Sequence, residues 1–148
     1  METFEQFNQS RENKMARIVL VVDEFMSLME SKKNNKEFVR IIQFLASTTE
    51  QTGIHLVLST QRPSRTVITK EISESIPYRV SFYVMSKVDS KIAINMTGAQ
   101  RLLGSGDMIY ADINSGKGTH AQAAYVTDAE IDRVIQFCKT QWEYSQEV

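Results

Sequence analysis

Two adjacent carboxylates follow an apolar run near the start of the chain. The run is Ile18–Val22, and Asp23 and Glu24 come directly after it. Aliphatic residues at every position are typical of a strand that is covered on both faces in a parallel α/β sheet. Such strands deliver their carboxyl ends to the crevice where ligands bind, and two acids are costly to bury there without a cation. We therefore predict that Asp23 holds Mg²⁺ at a phosphoryl-transfer site and that Glu24 is the general base that activates water. The alternative is an ordinary strand end, with Asp23 as a helix N-cap.

The next apolar run also ends in polar side chains. Ile54–Thr60 predicts a second buried strand, and Gln61 and Arg62 follow it before Pro63 stops the strand. A side-chain amide at the tip of the neighbouring strand can contact a γ-phosphate and orient water, so Gln61 is the predicted sensor. Thr60 and Arg62 are predicted to support the nucleotide beside it. The alternative is a plain strand-to-loop turn set by Pro63.

The rest of the pattern supplies the elements that would position these residues. A helix with apolar residues at helical spacing links the two strands and ends at Gly53. Later come an alternating strand, a capped helix, a hairpin across "NSGKG" and a second capped helix. Cys138 lies on the apolar face of that last helix, and we expect it in the core. The ranges are Tyr78–Val84 for the strand, Ser86 to about Met96 for the first helix, and Thr127 onward for the second. The fold class is α/β: a mostly parallel sheet flanked by helices, with a C-terminal β-hairpin and helix.

Composition narrows the class of protein. The chain has 148 residues, a net charge of −1 and one cysteine. The charge excludes a global basic field for nucleic acid, and the single cysteine excludes an internal disulfide and fits a reducing cytosol. The longest aliphatic run is far shorter than the ~20 residues of a membrane helix, and no signal peptide is visible. We expect a cytoplasmic location.

Several motifs together resemble the motor domain of the FtsK/SpoIIIE family of DNA translocases. They are "VVDEF", "GIHLVLSTQRPS" (Gly53 to Ser64), "VIT", "IP.R..F.V.SK.DS" and "LLGSGDMIY" (Leu102 to Tyr110). The resemblance runs from Ile18 to the last helix. It implies a RecA-like P-loop NTPase fold and hexameric rings that use ATP and Mg²⁺ to pump double-stranded chromosomal or plasmid DNA. In these terms Asp23 and Glu24 are the Walker B acids. Family members can also be membrane-tethered through segments that have no counterpart in this sequence.

One motif of that family has no match in this sequence. A P-loop reads G-x-x-x-x-G-K-[ST] between a strand and a helix, whereas "SGKGT" lies in a predicted hairpin and has Gly118 after Lys117. The chain therefore resembles the C-terminal part of the motor, with an arm over 1–16 and the motor portion over 17–148. We expect no ATPase activity from the chain alone. The alternative to half of a motor is a non-catalytic module or remnant that docks on an intact ring.

The resemblance also suggests contacts to DNA and to a neighbouring subunit. The loops after the two strands would face the ring channel, so basic residues there would hold DNA phosphates without reading sequence. Lys91 stands where family members often carry an arginine, and it is the candidate trans finger. The alternative for each of these basic residues is an ordinary solvent-exposed side chain that binds neither DNA nor nucleotide. The predicted DNA contacts are Lys32, Lys33, Lys36, Arg65 and Lys70.

Other polar residues give weaker signals. His55 and His120 have no Cys or His partner at metal-ligand spacing, so we expect no zinc site. Asp107 in "GSGD" is expected to cap a turn, with a contact to a neighbour's nucleotide as the alternative. Phe4 and Phe7 are expected to cover part of the sheet face left open by a missing P-loop strand.

Overall fold

The computed structural model describes residues 3–30 and 35–146, and its elements follow an α/β order. Strands, helices and turns agree with the predicted sequence of elements to within a few residues. The helices are α1 (Phe4–Ser10), α2 (Met26–Glu30), α3 (Asn35–Thr52), α4 (Lys70–Ser75), α5 (Lys87–Ile94) and α6 (Asp128–Gln146). The strands are β1 (Ile18–Val22), β2 (Ile54–Leu58), β3 (Tyr78–Ser81), β4 (Asp107–Asp112) and β5 (Lys117–Gln122), with a 3₁₀ turn at Ala99–Arg101.

The strands form two sheets within the described residues. β1 and β2 pair in parallel with Ile18 opposite Ile54 and Val22 opposite Leu58. β3, β4 and β5 form an antiparallel sheet in that order. The α/β class, the parallel pair and the C-terminal hairpin and helix are confirmed, but the sheet is not mostly parallel, because β3 pairs with β4 rather than extending the β1–β2 pair. The strict alternation over Tyr78–Val84 fits this pairing, since antiparallel sheets often keep one face in solvent.

Each sheet has its own small core. Phe25, Met29, Val67 and Ile72 are buried beside β1–β2, between α2, α3 and α4. Ile94, Ala99, Leu102 and Ala111 are buried beside the antiparallel sheet. Arg79 on β3 joins the two regions: its guanidinium donates to the carbonyl oxygens of Ile76, Ser73 and Ala93. Partial burial lowers the pKa of Arg79 from its usual value, because it disfavours the charged form of the guanidinium.

The predicted burial of β1 on both faces is wrong. Ile18, Val19 and Val21 are 56%, 62% and 62% exposed, and Leu20 is 40% exposed. The free edge of β1 has no partner strand among the described residues. An aliphatic strand of this kind is suited to a covered position, so its exposure marks a surface that another polypeptide segment could cover.

The N-terminal arm forms a helix, but it does not cover β1. A capping box between Thr3 and Gln6 starts α1. Phe4 is buried against Gly53, whose φ of +67° sets the turn between α3 and β2. Phe7 is only partly buried and carries the guanidinium of Arg11 over its ring. The arm therefore seals the start of β2 and leaves the sheet face open.

Two predictions about the C-terminal half have different outcomes. The helix caps are confirmed: Ser86 Oγ accepts from the Asp89 N–H, and Thr127 Oγ1 accepts from the Glu130 N–H. Only the second is a reciprocal capping box, since the Thr127 N–H donates to Glu130 Oε2, whereas Asp89 accepts from the Ser86 hydroxyl. Cys138 was predicted to lie in the core, and that prediction is wrong because Cys138 is exposed on α6. No helix within the described residues is long and apolar enough to cross a membrane.

Candidate functional site

The parallel register brings the two polar strand tips together. Beyond the last paired residues the strands stay hydrogen-bonded, since the Ser59 N–H donates to the Val22 carbonyl oxygen and the Phe25 N–H donates to the Ser59 carbonyl oxygen, each over 3.0 Å. Asp23 and Glu24 therefore lie directly beside Ser59 and Thr60. The prediction that the two tips share one edge of the sheet is confirmed by this pairing.

Asp23 is held through one of its two carboxylate oxygens. Oδ1 accepts a hydrogen bond from the Ser59 hydroxyl and another, of 3.0 Å, from the Glu24 N–H. Oδ2 accepts no hydrogen bond from the residues that the structure describes, and Asp23 is exposed. The carboxylate is thus fixed in orientation with a free oxygen directed to solvent.

Ser59 is a member of this cluster that the sequence did not single out. Its hydroxyl holds Asp23 and also lies 3.4 Å from the Glu24 backbone nitrogen. The available signal was its position: it is the first polar residue after β2, opposite the acid pair in a parallel register.

Glu24 reaches from the tip of β1 to the tip of β2. Its Oε1 accepts from the Thr60 hydroxyl and its Oε2 accepts from the Gln61 backbone N–H, both at 2.9 Å. The backbone of Glu24 has a φ of +47°, in the left-handed region that residues other than glycine rarely adopt. Such strain is kept where the surroundings fix it, and it often lies at functional sites. Each oxygen accepts one hydrogen bond and retains a further lone pair.

Gln61 and Arg62 enter the site through their backbones. The Gln61 N–H holds Glu24, and the Arg62 N–H donates to Thr60 Oγ1 over 3.3 Å. Both residues are exposed, and neither side chain has a hydrogen bond or ion pair with any residue in the described ranges. Their amide and guanidinium groups are therefore available to a ligand above the strand tips, whereas Thr60 is committed to Glu24.

The oxygen donors at these tips suit Mg²⁺ better than a transition metal. The described residues contain no group of three or more His, Cys, Asp or Glu side chains that could hold a metal ion by themselves. Magnesium does not need such a cage, since it commonly takes one or two carboxylates and completes its shell with phosphates and water. The free Oδ2 of Asp23 and the neighbouring Ser59 hydroxyl fit that mode of binding.

The remaining predicted residues lie apart from this cluster. Lys91 is exposed on α5, which packs against β3 and the 3₁₀ turn rather than against β1 or β2. Lys36, Arg65 and Lys70 are exposed, and Lys70 forms a 3.7 Å ion pair with Glu74. Lys32 and Lys33 lie outside the described residues.

Asp107 supports a loop of the second sheet. It is 7% exposed and accepts from the Leu103 N–H at 2.8 Å and from His120 Nε2. The Leu103 N–H holds the pKa of Asp107 below its usual value against the opposing effect of burial, and His120 lowers that pKa further. This geometry confirms the expected turn role of Asp107.

The chain was compared with known proteins, and it is similar to DNA translocases. No protein-family model matches the chain. The chain is 39% identical over 145 residues to "DNA translocase FtsK" of Listeria monocytogenes, covering 97% of this chain and 19% of the relative. It is 41% identical over 128 residues to "DNA translocase SftA" of Bacillus subtilis, covering 86% of this chain and 13% of the relative.

Two solved structures share the fold. The pCW3 conjugation coupling protein TcpA, determined with ATPγS, superposes with a TM-score of 0.76 at 26% identity over 87% of this chain and 38% of TcpA. The cytoplasmic domain of the Type VII secretion ATPase EccC of Thermomonospora curvata gives a TM-score of 0.73 at 20% identity over 86% of this chain and 15% of EccC. The chain spans less than a fifth of the length of the two translocases named above. The resemblance seen in the motifs is thereby confirmed: the chain is homologous to a segment of the FtsK and SftA DNA translocases, and it shares the fold of the matched parts of TcpA and EccC.

Proposed function

We propose that this chain forms the acid-and-sensor half of an ATP-hydrolysing site in a DNA translocase motor. The observation that carries the proposal is the Glu24 carboxylate, which is clamped between the Thr60 hydroxyl and the Gln61 N–H at 2.9 Å each. This clamp fixes a base at the edge of a parallel sheet while leaving lone pairs free to accept a proton from water. The homology to DNA translocases and the fold shared with an ATPγS-bound protein support the same reaction.

Each residue of the cluster has a role in this proposal. Asp23 offers Oδ2 to Mg²⁺, directly or through water, while Ser59 keeps the carboxylate from turning away. A bound magnesium ion would neutralise charge on the β- and γ-phosphates. Glu24 accepts the proton of the attacking water. The Gln61 side-chain amide orients that water against the γ-phosphate, and the Arg62 guanidinium contacts nucleotide phosphate beside it.

The complete site needs a phosphate cradle that this sequence does not encode as a P-loop. We propose that a polypeptide segment carrying the cradle pairs with β1 and covers its exposed aliphatic side chains. Assembly into a hexameric ring would place Lys91 near the nucleotide of a neighbouring subunit. The basic residues Lys36, Arg65 and Lys70, together with Lys32 and Lys33, would hold the DNA backbone. The chain would act in the bacterial cytoplasm, on chromosomal or plasmid DNA during chromosome segregation and cell division.

The second candidate function is a non-catalytic module that docks on an intact motor ring. It is favoured by the exposure of β1, which is 40–62% at four consecutive aliphatic positions. In this case the strand tips would bind no nucleotide of their own, and the chain would change the activity of the ring by occupying a subunit position.

Measurement of ATP hydrolysis tests the first proposal. The samples are the chain alone and the chain mixed with the P-loop-bearing part of a related translocase, each with and without linear duplex DNA. We expect no turnover alone and DNA-stimulated turnover in the mixture. Glu24→Gln should lower that turnover by about 10²–10⁴-fold. Glu37→Gln on the exposed start of α3 is the matched control and should have no effect. Equal turnover by Glu24→Gln and the original chain would overturn the proposal. Association with an intact motor and altered ATPase activity, unaffected by Glu24→Gln, would favour the docking module.

A further inference from the structure

The N-terminal arm forms an open cleft at the amino end of β1. The cleft has a volume of about 570 Å³, which lies within the range of roughly 300–1,000 Å³ typical of small-molecule sites. Three cationic side chains and one acidic side chain are among its lining residues: Arg11, Lys14, Arg17 and Glu5. Three positive charges against one negative charge leave a local charge of +2, although the whole chain has a net charge of −1. Cations gathered in one cleft repel each other, and a bound anion relieves that repulsion.

The backbone of the cleft is fixed by Asn8 on α1. Asn8 Oδ1 accepts a hydrogen bond from the Met15 N–H over 2.8 Å, and Asn8 Nδ2 donates to the Met15 carbonyl oxygen over 3.0 Å. These two hydrogen bonds close the loop that carries Arg11 and Lys14. Because the loop is closed before any ligand binds, binding costs less conformational entropy.

Each guanidinium group in the cleft lies over an aromatic ring. Arg11 Cζ is 4.3 Å from the centroid of the Phe7 ring, and Arg17 Cζ is 5.0 Å from the centroid of the Phe4 ring. A cation–π contact restrains a guanidinium group without consuming its N–H donors, which can still bind an anion. Both arginine side chains are therefore partly pre-positioned.

The three cations differ in how far their donors are used within the protein. Arg17 donates to Glu5 Oε1 over 2.8 Å, and its Nη1 lies 3.1 Å from His55 Nε2. Arg11 and Lys14 are exposed, and neither has a hydrogen bond or an ion pair with a residue in the described part of the chain. The N–H donors of these two side chains are thus available to an anion. The cleft contains more donors than its one carboxylate can accept.

We propose that this cleft binds a small ligand that carries a diphosphate group or two neighbouring phosphates. The planar guanidinium of Arg11 can grip one phosphate through two N–H groups, and the Lys14 ammonium neutralises the other as a point charge. The inference does not depend on the proposed ATP site. Arg17 precedes β1 and Asp23 follows it, so the cleft and the strand tips are about 20 Å apart along the strand.

A small ligand fits the cleft better than a nucleic acid does. Nucleic-acid backbones bind to basic stripes that extend over several phosphates, whereas these cations surround one concave site. Glu5 lies inside the cleft, and the exposed Glu12 follows Arg11 in the same loop. Both acids would repel a polyanion that continues beyond the cleft.

Isothermal titration calorimetry of the full 148-residue chain with inorganic pyrophosphate tests the proposal. Mg²⁺ is left out, so that the strand tips are not engaged. We expect one pyrophosphate per chain, with the affinity lowered about tenfold by Arg11→Gln and by Lys14→Gln. Lys117→Gln, which removes the same charge from the β4–β5 hairpin, is the matched control and should leave the affinity within about threefold. An original chain that does not bind, or equal weakening by Lys117→Gln, would overturn the proposal. All three positions are exposed, and thermal unfolding will show that the fold is retained.

Glu5→Gln gives a change of the opposite sign. The amide oxygen can still accept from Arg17, but the negative charge of the cleft is gone, so pyrophosphate should bind more tightly by about threefold or more. Glu37→Gln, which removes a negative charge from α3, is the control and should leave the affinity unchanged. Weaker or equal binding by Glu5→Gln, in a chain that unfolds at the original temperature, would overturn the assignment of the cleft.

Backbone amide NMR of the chain locates the bound anion and identifies its source. Pyrophosphate should shift the signals of residues 11–17 and leave those of Asp23 and Ser59 in place. A short duplex oligonucleotide should compete poorly for the same residues. Shifts confined to the strand tips would overturn the site, and an oligonucleotide that displaces pyrophosphate from Arg11 and Lys14 at lower concentration would overturn the small-ligand assignment.

Discussion

Substitutions at Glu24 separate the catalytic role of its carboxylate from its structural role. In Glu24→Gln the amide oxygen can still accept from the Gln61 N–H, and the Thr60 hydroxyl can rotate to accept from the new amide NH₂. Both hydrogen bonds of the clamp are therefore retained. In Glu24→Ala both are lost, leaving a half-buried hydroxyl and an exposed N–H without their partner.

The expected stabilities follow from this difference. Each lost hydrogen bond contributes about 0.5–1 kcal/mol at these partly solvated positions, so Glu24→Ala should lose about 1–2 kcal/mol. For a chain of this length that is a fall in Tm of about 2–8 °C. Glu24→Gln should stay within about 0.5 kcal/mol of the original chain. Glu24→Gly should fall between them, since relief of the left-handed backbone returns about 1 kcal/mol.

Thermal unfolding of the chain and ATPase activity of the complete site would then rank the variants differently. Turnover should be lost as fully in Glu24→Gln as in Glu24→Ala, because neither side chain can take a proton, although only the alanine variant unfolds earlier. The reasoning fails if Glu24→Gln keeps turnover within tenfold of the original. It also fails if Glu24→Ala unfolds at the original temperature, since the clamp would then contribute nothing.

Three further changes test the scaffold. Gly53→Ala should destabilise the chain by about 3 kcal/mol in urea unfolding, because its Cβ would lie 2.5–2.8 Å from the Phe4 ring at a φ of +67°; an unchanged midpoint would contradict that contact. The folded pKa of Asp107 is lowered mainly by the Leu103 N–H, so this carboxylate stabilises the fold above its unfolded pKa of about 3.9, and the stabilisation is lost as the pH falls through the lower folded pKa. Asp107→Asn should therefore flatten the acid part of the pH–stability profile. An unchanged slope in that variant would contradict the role of Asp107. Arg79→Lys should lower the Tm, because an ammonium cannot donate to all the carbonyls that the guanidinium fork reaches; Arg101→Lys, at an exposed position, is its control.

The proximity of the two strand tips could be predicted from the sequence because parallel topology does most of the positioning. Two apolar runs joined by a helix give parallel strands, and their carboxyl ends then share an edge. What could not be predicted is the atom that each residue uses. Gln61 holds Glu24 through its backbone N–H, and this contact depends on the left-handed turn at Glu24, which no local pattern specifies. Ser59 is a different case, since its position in the parallel register beside the acid pair was an available signal.

Burial was the least predictable property. Aliphatic residues in β1 and an apolar stripe on α6 both indicate surfaces that are suited to packing, but the pattern does not say which segment covers them. β1 was therefore predicted to be buried and Cys138 to lie in a core, but Ile18–Val21 and Cys138 are exposed. The pairing of β3 was uncertain in a similar way, since a strand sequence specifies its faces better than its neighbour.

The exposed strand and the candidate site are parts of the same geometry. Neighbouring strands of a sheet lie about 4.8 Å apart, so any strand that pairs with the free edge of β1 must pass close to Asp23 at its tip. A parallel strand in that position would deliver its own carboxyl end next to the free Oδ2 of Asp23. The loop that follows such a strand is where phosphate-binding backbone amides occur in nucleotide-binding α/β folds. Pairing at the free edge of β1 and completion of the proposed nucleotide site would therefore be one structural event, and we expect the stability of the β1–β2 pair and ATP binding to rise together.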